Sequence, residues 1–131
     1  MNTGSCLCGA VEYEILGQLG PVMYCHCSRC RKASGSAFNA MSPVAAADFR
    51  IVKGQESVRD YLNSTGVSRM FCGICGSQLF GKRDSAPETV RVRIGTLDTP
   101  QKSKVSSHVF VGSKAEWYEI LDGMPQHAER P

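Results

Sequence analysis

The seven cysteines restrict what this chain of 131 residues can become more than any other feature. They fall in three tight groups: Cys6 with Cys8, Cys25 with Cys27 and Cys30, and Cys72 with Cys75. An exported chain of this size would use such thiols as a disulfide framework. The odd count argues for metal ligation instead, as does the opening Met1-Asn2-Thr3-Gly4-Ser5, which lacks the basic and apolar regions of a signal peptide. The same opening, together with the absence of an apolar run near ~20 residues, predicts a cytoplasmic protein with no membrane partner.

Cys72-x-x-Cys75 followed by Gly76 reads as a knuckle, in which a tight turn aims two sulfurs at one ion and glycine supplies the positive φ such a turn can require. Cys6 and Cys8 stand one residue apart, on the same side of an extended segment, and Gly9 follows them. These four predict a closed, tetrahedral, structural zinc site. In the triplet, alternation sets Cys25 and Cys27 on one face, and a short turn can return Cys30 to the same ion. Three thiolates leave one tetrahedral position for water or substrate, the feature that separates catalytic from structural zinc. Spacing leaves two alternatives open. Cys27-x-x-Cys30 could pair with Cys72-x-x-Cys75 in a ribbon-like site, stranding Cys6, Cys8 and Cys25, or His108 or His127 could close the triplet as Cys₃His. His26 alternates away from its neighbours.

Hydrophobic residues make up 42% and charged residues 21%, which is globular composition, and the length suits one domain over 1–131 with 126–131 as a tail. The formal charge of +3 counts every thiol as neutral; seven thiolates and two Zn²⁺ would bring it to zero, so no nucleic-acid partner is expected. Period-two alternation dominates, as in Val11-Glu12-Tyr13-Glu14-Ile15 and Val90-Arg91-Val92-Arg93-Ile94. Further strands are predicted over 22–24, 37–41, 49–53, 58–62, 68–71, 78–81 and 107–111, most of them bounded by turn residues. Helical signals amount to single turns over 28–33 and 45–48. The expected fold is mostly β, built of antiparallel sheets.

The segments GSCLCGAVEY at 4–13, CHCSRCRKASGSAF at 25–38, FCGICGSQLF at 71–80 and HVFVGSKAEWYEILDGMPQ at 108–126 together resemble the glutathione-dependent formaldehyde-activating enzyme family, which includes the centromere protein V type of domain. The resemblance implies a zinc-pinned β-tent, with a structural zinc on Cys6, Cys8, Cys72 and Cys75. It implies a second, catalytic zinc on Cys25, Cys27 and Cys30. The implied reaction joins the glutathione thiol to formaldehyde as S-(hydroxymethyl)glutathione, and its reverse is a carbon–sulfur lyase step. Zinc favours a bound thiolate over a thiol, so a small thiol and an aldehyde are the implied partners and no redox cofactor is needed. Arg29, Arg31 and Lys32 could offset the negative charge of such a site or meet the carboxylates of glutathione. His108 is expected to be structural, Trp117 and Tyr118 to cover the core, and His26 could orient a ligand or handle a proton. The alternative functions are a non-catalytic zinc scaffold for a macromolecule and a thiol-based metal store or redox sensor.

Overall fold

The computed structural model describes residues 1–102 and 104–131. A three-stranded antiparallel sheet is formed by β1 (Asn2–Ser5), β2 (Glu12–Ile15) and β5 (Phe49–Lys53), in the order β1-β2-β5. The larger sheet has seven strands: β3 (Val22–Cys25), β4 (Asn39–Ala45), β6 (Val58–Leu62), β7 (Val67–Cys72), β8 (Gln78–Arg83), β9 (Ala86–Arg93) and β10 (Val105–Val109). Their order is β10-β3-β4-β9-β8-β7-β6, antiparallel throughout except that β10 runs parallel to β3.

The alternation seen in the sequence becomes two different faces of the large sheet. Val44, Phe80, Val90 and Val92 point into a core shared with Tyr13 and Ile15 of the small sheet and with Val11 just before β2. Phe49 bridges the two layers, its ring centroid 5.2 Å from that of Tyr13 and 4.6 Å from that of Phe80. Each such apolar side chain contributes roughly 1.5–3 kcal/mol on burial, and this layer-to-layer contact holds the sheets together. The register places Met23 opposite Met41 and Met41 opposite Arg93, with Pro43, Arg91, Gly81 and Arg69 forming the next row across β4, β9, β8 and β7. This second face is the one that borders a large cavity.

Strand β1 was not legible, because Asn2-Thr3-Gly4-Ser5 offers no apolar alternation. It pairs with β2 so that Gly4 lies opposite Tyr13, and a Cβ at Gly4 would sit 2.2 Å from Tyr13 Cζ. Glycine is therefore what lets the buried tyrosine lie flat here, its hydroxyl 2.7 Å from Thr96 Oγ1. The helix α1 (Ser28–Ser34) has seven residues, more than the single turn expected. Cys27 caps its start and Gly35, at φ 63°, ends it. The second expected turn is the 3₁₀ segment Ala46–Asp48.

Residues 126–131, read from the sequence as a tail, are instead tied down. His127 donates to the His108 carbonyl at 2.9 Å, while Phe110 donates to Glu129 at 2.8 Å and Val111 to His127 at 3.1 Å. The segment lies along β10 and the turn beyond it because that edge still offers unpaired backbone groups. No helix among the described residues is long and apolar enough to cross a membrane.

Candidate metal centres and the cavity beside them

Cys6 and Cys8 lie in the turn leaving β1, Cys72 ends β7, and Cys75 lies in the turn before β8. Both turns need glycine where the sequence has it: Gly9 has φ 78° and Gly76 has φ 80°, and their amides donate to the carbonyls of Cys6 and Cys72. The four sulfurs converge within 4.8 Å of one another, with Cys6 Sγ 3.6 Å from Cys8 Sγ and Cys8 Sγ 3.9 Å from Cys72 Sγ. A tetrahedron with Zn–S bonds near 2.3 Å sets its sulfurs about 3.8 Å apart, so the donor set fits. Backbone amides of Val11 and Ile74 donate to Cys6 and Cys72 at 3.3 and 3.4 Å. Ser77 Oγ accepts the Leu7 amide at 2.8 Å and is in hydrogen-bond contact with Cys75 Sγ at 3.3 Å. That contact and the Ser77 amide pull the Cys75 thiol down to about 5.

The second group is local. Cys25 ends β3, Cys27 caps α1, and Cys30 sits in its first turn, all three sulfurs lying within 4.8 Å. The Cys27 sulfur accepts the Cys30 amide at 3.3 Å, taking the place of the usual oxygen cap. Hydrogen bonds from Cys25, then from Cys30, pull the Cys27 thiol down to about 2, whereas the contacts of Cys25 with Cys27, then with Cys30, push the Cys25 thiol up. A cation among the three sulfurs would favour the ionised form of all of them. Arg69 approaches this group, its Nη2 3.8 Å from Cys30 Sγ.

The partition into four and three is therefore settled by geometry, and the ribbon-like pairing of Cys27 and Cys30 with Cys72 and Cys75 does not occur. Neither His108 nor His127 joins the triplet among the described residues. His108 is fully buried and structural: its Nδ1 is 2.8 Å from His26 Nε2, and its Nε2 is 2.9 Å from Asp122. His26, facing away from the sulfurs as alternation predicted, is held down to about 4 by burial and by His108. Its Nδ1 is buried without a partner. Tyr118 packs against Phe38 at 5.5 Å, but Trp117 is 74% exposed and does not cover the core.

The three sulfurs line one end of a cavity of about 1000 Å³. Of the cations expected near them, Arg29 borders the cavity, whereas Arg31 and Lys32 do not line it. The larger cationic contribution was missed: Arg69, Arg83, Arg91, Arg93 and Arg130 line the same space. The signal was present in the alternating Val90-Arg91-Val92-Arg93, whose charged positions read as a solvent face although Arg93 is only 6% exposed.

The molecule is thus a β fold carrying two cysteine groups, each of which could hold a metal ion, with one of them opening on a cavity. The model of the family "Glutathione-dependent formaldehyde-activating enzyme" matches residues 1–113, and the chain belongs to that family. It is 32% identical over 77 residues to an uncharacterized lyase of Schizosaccharomyces pombe, covering 59% of this chain and 54% of that one. It is 24% identical over 116 residues to a putative glutathione-dependent formaldehyde-activating enzyme of Aspergillus flavus, covering 87% of this chain and 54% of that protein. The chain thus spans about half the length of these curated relatives. A crystal structure of a Rhodobacter sphaeroides protein superposes with a TM-score of 0.66 at 29% identity, covering 79% of this chain and 96% of that one.

Proposed function

We propose that both cysteine groups hold zinc, and that the three-cysteine group serves an enzyme joining a small thiol such as glutathione to formaldehyde or a related aldehyde. The observation that carries the reading is the convergence of Cys25, Cys27 and Cys30 at the wall of a cavity of small-molecule size, in a chain of this family. Zinc bound there would favour the thiolate form of an incoming sulfur near neutral pH.

The chain's own groups supply the rest. Cys25 and Cys27 are fixed by β3 and by the helix cap, and Cys30 by the first helical turn, so the donor geometry is set before substrate enters. Arg69 beside Cys30 offsets negative charge that three thiolates and a fourth sulfur would accumulate. In the reaction the substrate sulfur bonds to the carbonyl carbon, the π pair moves to oxygen, and that oxygen gains the proton the thiol has released. Nothing is oxidised or reduced, and the reverse step cleaves the carbon–sulfur bond. His26 is held by His108 at 2.8 Å and does not line the cavity, so it is given no role at the reacting atoms.

The test is incubation of the zinc-loaded protein with glutathione and formaldehyde while adduct formation is followed by exchange NMR. Acceleration above the protein-free rate supports the reading, and a rate equal to it rejects this substrate pair.

A further inference from the structure

The charges around the cavity are unbalanced beyond what the sulfurs require. Arg69, Arg83, Arg91, Arg93 and Arg130 line it, with Glu129 as the acidic side chain on its wall. The side-chain ion pairs among the described residues are Arg50 with Glu14, Lys53 with Glu12, and His108 with Asp122, none of which involves these arginines. Zinc with three thiolates would carry a single negative charge, far too little to neutralise them.

Arg93 is the most telling member. It is 6% exposed, its Nε is buried without a partner, and its side chain donates to the Arg91 carbonyl at 3.3 Å. A buried guanidinium normally has a carboxylate or phosphate to meet its planar fork. The strand register explains how several such groups share one surface. Gly81 stands between Arg69 and Arg91 in the row across β7, β8 and β9, so the two flank a position with no side chain. A Cβ at Gly81 would come within 3.2 Å of Arg93 Nη2. The Arg93 guanidinium therefore lies over the glycine, flanked by Arg69 and Arg91, on the sheet face that borders the cavity. Burial, and then repulsion from Arg91 and Arg130, lowers the affinity of Arg83 for its proton; burial and then Arg130 do the same at Arg91. An anion in the cavity against this face would relieve both.

We propose that this arginine face is the seat for a substrate tail carrying at least two negative groups and no nearby cation, so that the thiol preferred here is more anionic than glutathione. Glutathione brings two carboxylates but also an ammonium, which on this surface would find Glu129 alone against several guanidiniums. A thiol bearing a phosphate, or two carboxylates without an amine, matches this face better. The thiol part of the inference rests on the function proposed above; the anion seat does not.

Isothermal titration of the zinc-loaded protein with mercaptosuccinate, sulfur-free succinate, 2-mercaptoethanol and cysteamine separates the two. The expected result is at least tenfold tighter binding of mercaptosuccinate than of 2-mercaptoethanol, with cysteamine weakest and succinate measurable. In Arg91→Gln, and independently in Arg83→Gln, the ratio of mercaptosuccinate to 2-mercaptoethanol affinity falls about tenfold. Succinate binding as tightly as mercaptosuccinate supports the seat while contradicting the thiol site. Equal affinity of all three thiols, or no change of the ratio in either variant, overturns the seat and leaves the thiol site standing.

Discussion

The two cysteine groups use the same ligand chemistry for opposite structural purposes. Cys6 and Cys8 belong to the small sheet's first turn, whereas Cys72 and Cys75 belong to the β7–β8 hairpin of the large sheet, so this group joins segments more than sixty residues apart. Cys25, Cys27 and Cys30 all lie within one strand-to-helix junction and join nothing distant. A metal at the first group would supply folding energy by closing long loops between layers, and one at the second would mainly place chemistry at a cavity wall. Burial is mixed in both groups: Cys6 and Cys72 are buried while Cys8 is exposed, and Cys25 and Cys30 are buried while Cys27 stays partly accessible beside the cavity.

Substitution breaks or sharpens this contrast. The largest effect is expected from Cys72→Ser, which removes a ligand at the core end of the staple; a loss of about 5 kcal/mol or more, seen as unfolding at ambient temperature by circular dichroism, follows if the metal there carries folding energy. Cys27→Ser should leave the far-ultraviolet spectrum close to the native one while reducing adduct formation to the uncatalysed rate. A Cys27 variant as unfolded as the Cys72 variant would erase the distinction.

Smaller changes probe the support beneath the triplet. His108→Ala strips His26 Nε2 of its partner in a fully buried site and should cost about 1–3 kcal/mol, read from denaturant midpoints. His26 itself gives a pH signature. Its folded-state value of about 4 lies below that of an unfolded histidine, so the unfolded chain takes up a proton first as pH falls. Its contribution is complete above pH about 6.5 and is lost as pH descends through that value toward 4, amounting to about 1–3 kcal/mol. His26→Gln should flatten that part of the stability profile. Smallest of all is Ser77→Ala, which removes the Leu7 and Cys75 contacts at a partly exposed site and should cost about 1 kcal/mol or less.

Much of this was legible because ligand spacing and turn chemistry are local. Gly9 and Gly76 announced the positive φ of the two turns, and alternation placed His26 away from the sulfurs. What escaped depended on partners remote in sequence. Strand β1 exists because Gly4 accommodates Tyr13 from the neighbouring strand, a contact that no property of residues 2–5 discloses. The parallel edge pair β10–β3 and the anchoring of residues 126–131 arise from backbone groups left free by the sheet order. The arginine face was hidden for another reason: charged residues alternating with valine look alike whether they meet bulk solvent or a cavity, and only the register across β7, β8 and β9 gathers them.

The most direct test of the division between the two groups is the zinc content of the Cys25→Ser/Cys27→Ser/Cys30→Ser protein, measured by elemental analysis on material checked for native fold. The account predicts a folded chain holding one zinc in place of two. Two zincs retained, or a chain that no longer folds, would contradict it.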